Sequence, residues 1–342
     1  MHMNITMKPI RILLLILSII NLYAHYLINE SSEIQFILYE DMKTSDYKES
    51  STARFESANF DFPNLSLSAI PIKSLVARYY FLAAEYNTAL EYLDESDEVN
   101  PYLMYSESLK SEVFQHLGVK DSLIYYAEKA FTGIPNNDKH FLFLAKAYAN
   151  SGRLSEVDSI FKIVENGMNH RIWRIYLATL LTDETIITDY GRSIAKKSRD
   201  YFPTDQYPEI DIPSKYVLYG TDNINKSIDK EFEAREAYEN KEYSKAAKLY
   251  EEAGKFNPSD YTHFENSGVN HYLANNLEES LYFLNFVIDS LNPGTGKAEF
   301  VAANVFVKQN NKEQACKYAN LARIYNYPGS YQFISTYCVD NL

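Results

Sequence analysis

The stretch Glu231–Pro258, EFEAREAYENKEYSKAAKLYEEAGKFNP, decides the fold of this chain. Ala246, Tyr250 and Ala253 follow one another at intervals of four and three residues, which places them on one face of a helix. Pro258 closes the unit, because proline cannot continue a helix. The stretch therefore predicts a helix, a turn and a second helix whose small and aromatic side chains face a neighbour.

The same pattern recurs along the chain at steps close to 34 residues. In each first helix a small residue lies where two helices approach closely, at Ala77, Ser111, Ala145, Ala234, Gly268 and Ala303. An aromatic residue follows three or four positions later, at Tyr80, Phe114, Tyr148, Tyr238, Tyr272 and Phe306. The second-helix triplets are Ala89-Leu93-Ser96, Leu123-Ala127-Ala130, Val157-Phe161-Val164, Ala246-Tyr250-Ala253, Ser280-Leu284-Val287 and Ala315-Ala319-Ala322. A unit of this length cannot bury its apolar face alone, so neighbouring units must supply the missing core.

These columns resemble the tetratricopeptide pattern W-x2-L-G-x2-Y, A-x3-F and P. The resemblance covers roughly Ser31 to Gly329, although the Trp column is poorly kept. It implies an all-α fold, a right-handed superhelix (α-solenoid) of helix–turn–helix repeats, here preceded by one N-terminal transmembrane helix. The alternative, an irregular helical domain without true repeats, would require the shared register to arise by accident.

Departures from the pattern predict the boundaries of the array. Ser31–Pro63 is interpreted as a degenerate opening unit, with Ser50, Arg54 and Ser57 at the second-helix spacing. Ile172–Pro203 is interpreted as a divergent helical pair. The predicted segments are a lead over 1–9, an anchor over 10–28, repeats over 31–205, a Pro- and Gly-containing loop over 206–226, repeats over 227–329 and a capping helix and tail over 330–342.

The N-terminal run Ile10–Ile28 is almost uninterrupted in apolar residues and reaches across a hydrocarbon core of about 30 Å. Basic residues ahead of it and Glu30 and Glu33 behind it predict a cytoplasmic N-terminus and an external repeat domain. This favours a single-pass inner-membrane protein with its repeats in the periplasm. A cleaved, secreted form is the alternative, with Ala24 the best cleavage position, and a buried core helix is a third.

Composition excludes several function classes. Forty-six acidic against thirty-three basic residues give a net charge of -13, which argues against nucleic acid as a partner. The scattered His and Cys residues match no metal-site spacing, and no motif predicts a cofactor or a catalytic centre. Cys316 and Cys338 are a candidate single disulfide if the domain lies in an oxidising compartment. We therefore expect a protein that is not an enzyme.

The leading hypothesis is a scaffold that binds a protein or peptide partner in the groove formed by its first helices. The candidate groove residues are Arg78, Arg235, Glu239, Asn270 and Asn304. A fainter resemblance joins four segments to the repeat tails of some bacterial O-antigen-ligase-like polymerases: Phe62-Pro63-Asn64-Leu65-Ser66, Ile70-Pro71-Ile72, Asn100-Pro101-Tyr102 and Ser106-Glu107. It implies an accessory role in envelope polysaccharide assembly, because one hydrophobic segment cannot form the membrane domain of those enzymes. A glycan-active enzyme in the divergent central region is the second alternative.

Overall fold

The computed structural model describes residues 7–203 and 206–339, and all of its regular elements in those ranges are helical. Most of the predicted cytoplasmic lead, Thr204 and Asp205 within the predicted repeat block, and the last three residues of the predicted tail lie outside the described residues. The chain divides after Thr182 into two compact units, which are described separately below.

The first unit consists of helices that pack in consecutive pairs. Its α-helices are α1 (Met7–Thr44), α2 (Glu49–Glu56), α3 (Ile72–Leu82), α4 (Tyr86–Asp94), α5 (Tyr105–Leu117), α6 (Lys120–Gly133), α7 (Asp138–Ala149), α8 (Leu154–Val164) and α9 (His170–Leu180). Helix α3 packs on α4, α5 on α6 and α7 on α8, and each first helix also contacts the next first helix along the chain. This is the arrangement of stacked helix–turn–helix units.

The second unit repeats the arrangement. Its α-helices are α10 (Asp189–Tyr201), α11 (Pro208–Tyr219), α12 (Thr221–Glu239), α13 (Tyr243–Phe256), α14 (Tyr261–Leu273), α15 (Leu277–Phe286), α16 (Lys297–Lys308), α17 (Lys312–Ile324) and α18 (Ser330–Phe333). Helix α10 packs on α11, α12 on α13, α14 on α15 and α16 on α17. A wider helical turn, Ile334–Cys338, follows α18 at the end of the array.

The repeat columns form the packing surfaces between the helices. Every member of the small-residue column is buried, as predicted. The second-helix triplets are buried as well, apart from the half-buried Leu123. At Gly268 an added Cβ would lie 2.8 Å from the Cγ atom of Leu284, closer than packed carbon atoms approach. The small column therefore allows α14 and α15 to pack closely, which confirms the predicted repeat fold.

The aromatic column holds in the first unit but not throughout the second. Tyr80 and Tyr148 are buried, whereas Tyr238 is 48% exposed, so the prediction that its ring fills the groove between paired helices is wrong. One added residue turns a side chain by about 100° around a helix, which moves it off the packed face. The position three residues after Gly268 is instead filled by His271, whose ring stacks on Phe283 at 5.6 Å.

Helix α1 continues without interruption through the predicted end of the anchor, because no proline or glycine lies between residues 10 and 44. Its C-terminal half is the first helix of the opening unit, where Ile34 and Leu38 are buried with Phe55 of α2. The predicted register of α2 is wrong by one residue: Ser51 and Phe55 are buried, rather than Ser50 and Arg54. Arg54 instead pairs with Glu33 at 3.0 Å.

The N-terminal part of α1 contacts little else in the described chain. The segment Ile10–Thr44 contains a window that is long and apolar enough to cross a membrane, and only 6% of that window is buried. A signal sequence near an N-terminus has the same length and composition. The structure therefore agrees with either an anchor or a signal sequence at this end of the chain.

The central region differs from the sequence-based expectation. The predicted loop over 206–226 is wrong, because most of that range lies in α11 and the start of α12. Pro208 occupies the first turn of α11, where its missing N–H costs nothing, and Pro213 removes a single hydrogen bond. Burial of Ile210 and Val217 holds the helix. The division after Thr182 also separates the two halves of the predicted pair Ile172–Pro203, since α10 packs on α11.

Candidate protein-binding groove

A groove in the first unit crosses three consecutive first helices. Helices α3, α5 and α7 each contribute side chains, together with the segment before α3, and enclose a cavity of about 400 Å³. Its lining residues are Ser68, Ile70, Arg78, Leu103, Tyr105, Ser108, Leu109, Glu112, Asn137, Lys139 and His140. Because first-helix positions repeat along the array, the groove is a direct product of the repeat geometry.

An ion pair spans the groove. The Nη1 atom of Arg78 donates to Oε2 of Glu112 at 2.5 Å, and both side chains are about a quarter exposed (27% and 22%). The Arg78 guanidinium also lies 5.3 Å from the centre of the Phe81 ring, a cation–π distance. Arg78, a predicted groove residue, is thus held in a fixed orientation by two neighbours and still reaches solvent.

His140 contributes a buried ring to the wall of the groove. Asn137 caps α7 by accepting hydrogen bonds from the backbone N–H groups of Lys139 and His140 at 2.9 and 3.3 Å. The His140 side chain is 4% exposed, and its Nδ1 atom has no hydrogen-bond partner among the described residues. Burial lowers the pKa of His140, so the ring is neutral near pH 7.

Tyr105 contributes an amphipathic ring to the same wall. Burial raises the pKa of the Tyr105 hydroxyl, which therefore stays protonated and able to donate. Ile70, Leu103 and Leu109 supply apolar surface beside it. Apolar surface with a few fixed polar groups is the usual character of a site that binds a peptide or a partner helix.

The sequence did not single out His140, Tyr105 or Glu112. The repeat spacing could have predicted Glu112 as a neighbour of Arg78, because it lies one repeat of 34 residues later. His140 holds a first-helix position in α7, and its ring lies near the backbone of Ala130 and Ile134 at the end of α6, in the preceding repeat. Within the described residues, no group of three or more His, Cys, Asp and Glu side chains could hold a metal ion.

The four predicted groove residues of the second unit have different environments. Arg235 is 62% exposed and bonded to Glu231 of its own helix, and Glu239 is exposed at the end of α12. Asn304 is half-buried and donates to the Phe300 carbonyl at 2.7 Å. Asn270 is only 2% exposed, so it does not offer an open binding surface.

Helix α14 carries buried polar side chains that resemble the His140 arrangement. His263 is 3% exposed, and burial lowers the pKa of its ring. Its Nδ1 atom, the Ser267 hydroxyl and the side-chain amide oxygen Oδ1 of Asn270 are buried without hydrogen-bond partners in the described chain. The neighbouring Glu265 is also buried and pairs with Lys297 of α16 at 2.8 Å. The Glu265–Lys297 pair connects the first helices of two successive repeats.

No model of a known protein family matches the sequence, and no curated protein matches it. Among solved structures, the chain is similar to a tetratricopeptide repeat protein from Parabacteroides merdae, with 11% identity, 78% of this chain and 98% of that chain covered, and a TM-score of 0.36. The TPR domain of P58(IPK) gives 11% identity, coverage of 90% and 97%, and a TM-score of 0.39. The TPR2AB domain of yeast Sti1, in its complex with pHSP90, has 14% identity, with 78% of this chain and 96% of that chain covered and a TM-score of 0.32.

These TM-scores are low, so the tetratricopeptide character of the chain rests on its own packing. The paired helices and the buried small column recur in both units. The described chain is thus an all-α array of tetratricopeptide-like helix–turn–helix repeats.

Proposed function

We propose that this protein is a binding scaffold that holds a segment of a partner protein in the groove over α3, α5 and α7. The observation that carries the proposal is the combination, in one groove, of the oriented Arg78–Glu112 pair with the Tyr105 hydroxyl and the apolar side chains beside it. The guanidinium and the hydroxyl can donate hydrogen bonds to a partner segment, while the apolar side chains pack against it.

The scaffold is proposed to be anchored in a membrane by the N-terminal part of α1, with its repeats on the periplasmic side of a bacterial envelope. Support comes from the exposed apolar segment of α1 and from the basic residues that precede it. The pairing of Cys316 with Cys338 suits the same compartment, because disulfides persist where the surroundings are oxidising.

The test is site-specific photocrosslinking in intact cells with the full-length protein. A photoreactive residue at Ser108 lies in the groove, whereas one at Tyr125, which is 60% exposed on α6, lies outside the set of groove residues. We expect a discrete crosslinked protein from position 108 that is absent from position 125. Arg78→Glu should reduce that product, because the positive charge facing the partner is reversed.

Arg235→Glu provides a parallel test of the second unit, where it should weaken retention of a partner bound along α12. Crosslinking from position 108 that yields nothing above background would contradict the proposed groove. A partner captured equally at positions 108 and 125 would show that contact is not confined to it.

A further inference from the structure

The segment 62–72, FPNLSLSAIPI, connects the opening unit to α3 and contains no charged residue. Ile72 at its end is buried in the core, but three of its apolar side chains are exposed: Phe62 is 53% exposed, Leu65 is 38% exposed and Leu67 is fully exposed at 107%. Isolated exposed leucines are common on soluble domains, but three exposed apolar side chains on one short uncharged loop are a contiguous patch.

Hydrogen bonds hold this loop in one conformation. The Ser66 backbone N–H donates to the Ile70 carbonyl at 2.9 Å, and the Ile72 N–H donates to the Asn64 carbonyl at 2.9 Å. The side chain of Asn100, from the next unit, donates to the Ala69 carbonyl at 2.8 Å. Leu67 is therefore presented at the tip of a braced turn, and its exposure is a property of that turn.

The loop lies beside α1 just beyond the apolar run. Pro63, Leu65, Ser66 and Leu67 share a recess with Ile28, Ser31, Ser32 and Gln35. The run from residue 10 to residue 28 spans about 28 Å, close to the hydrocarbon core of about 30 Å. Residues 28–35 then extend about 10 Å further, through the headgroup region.

Charge is distributed unevenly around this part of α1. The side that meets the loop carries Ser31, Ser32 and Gln35. Glu30 and Glu33 instead pair with Arg54 of α2, at 3.8 and 3.0 Å. The loop and the adjoining face of α1 thus form an uncharged surface that is continuous with the exposed apolar helix.

We infer that the 62–72 loop is a second membrane contact, which places Leu67 and Leu65 in the interfacial layer of the same bilayer that holds α1. The inference rests on the proposed membrane anchoring. Its partner is a lipid surface, since the patch adjoins a helix of bilayer length and offers no charge for a polar ligand. The contact would fix the tilt and rotation of the opening unit relative to the membrane.

The experiment measures tryptophan fluorescence of the full-length protein in two sets of phosphatidylcholine vesicles, with acyl chains brominated near the headgroup to probe the loop or near the chain end to probe the anchor. Leu67→Trp reports on the loop, Ile20→Trp reports on the anchor, and Ile163→Trp, at a position 64% exposed on α8, is the matched control. The native Trp173 is 1% exposed and supplies a constant background that the unsubstituted protein measures. Because Leu67 makes no buried contact, its substitution leaves the fold intact.

We expect bromine to quench Leu67→Trp nearly as much as Ile20→Trp, and to leave Ile163→Trp unchanged. Quenching of Ile20→Trp without quenching of Leu67→Trp would overturn the loop contact and leave the anchor in place. If neither is quenched, the anchor itself is outside the bilayer, and both proposals are overturned.

Discussion

Arg78 of α3 and Glu112 of α5 are joined by a hydrogen bond of 2.5 Å across one repeat of 34 residues. The pair links equivalent faces of neighbouring first helices, within the groove proposed to bind a partner. It therefore has two separable effects: it holds two repeats together, and it orients the guanidinium that would face a ligand.

Exchanging the two charges separates these effects. Arg78→Glu alone brings two carboxylates together and should lower the free energy of unfolding by about 1 kcal/mol, as expected for a partly exposed pair. Adding Glu112→Arg should restore most of the stability, because the ion pair forms again with opposite polarity. Crosslinking from Ser108 should stay low in the double variant if Arg78 contacts the partner. Trp173, the single tryptophan, reports unfolding of the first unit.

Recovery of crosslinking together with stability in the double variant would mean that the pair only supports the groove. Arg78→Gln serves as a milder control, since it removes the charge without placing two carboxylates together.

His140 should make the first unit less stable in mild acid. Burial lowers the folded-state pKa of His140, while the unfolded chain binds a proton near the ordinary value of 6.5. Below about pH 6.5 the unfolded chain takes up a proton that the folded chain does not, so stability is full above that pH and decreases as the pH falls. The free energy of unfolding should fall less between about pH 7.5 and about pH 5.5 in His140→Gln than in the unsubstituted protein, by about 1 kcal/mol.

Urea unfolding followed through Trp173 measures this difference in the first unit alone. An equal loss of stability in the variant and the unsubstituted protein over the same pH interval would assign the effect to other groups.

Gly268→Ala should destabilise α14, although alanine ordinarily favours a helix over glycine by about 1 kcal/mol. The added Cβ would lie 2.8 Å from Leu284 Cγ and 3.3 Å from the Leu284 backbone nitrogen, and Leu284 is fully buried. The expected cost is about 1–3 kcal/mol, as for other overpacked cores. Hydrogen exchange in α14 and α15 measures it locally.

Ala303→Gly, at the equivalent position of the next unit, tests the ordinary helix preference and should cost about 1 kcal/mol. Slower exchange in Gly268→Ala than in the unsubstituted protein would show that the column tolerates a methyl group.

The Cys316–Cys338 bond should stabilise the end of the array. The cysteines are 22 residues apart, with Cα atoms separated by 5.6 Å, and join α17 to the turn after α18. A closed loop of that size contributes about 3 kcal/mol in the chain-entropy model. Reductant should therefore accelerate proteolysis and hydrogen exchange in α16–α18, with little change in α12, because repeats contact only their neighbours.

The double variant Cys316→Ser, Cys338→Ser is the control and should resemble the reduced protein with or without reductant. If reductant left exchange in α17 unchanged, the bond would have no part in holding the final repeat.

Periodic small residues made the repeat fold predictable from sequence. A position such as Ala145 or Gly268 is constrained by the distance between two helix axes, so the residue type itself carries the signal. Proline was the weaker guide. Pro208 and Pro213 suggested a loop, but tertiary burial of Ile210 and Val217 stabilises a helix through them. Local propensity was overridden there by packing that no single segment encodes.

The groove was harder to predict than the fold. Arg78 and Asn270 were both predicted to line the groove because they lie on first helices, but Asn270 is buried. Whether a first-helix side chain reaches solvent depends on the side chains that neighbouring repeats place over it. His140 shows the same dependence, since its ring lies near the backbone of Ala130 and Ile134, in the preceding repeat.

Helix α1 runs from Met7 to Thr44 as one element, so its apolar half and the first repeat helix share a single axis. In the proposed arrangement no flexible linker separates the membrane-spanning part of α1 from the opening repeat. A force or torque that a bound partner exerts on the opening repeat would be transmitted along the continuous helix. That force would act directly on the part of α1 in the membrane, and the opening repeat could not rotate independently of it.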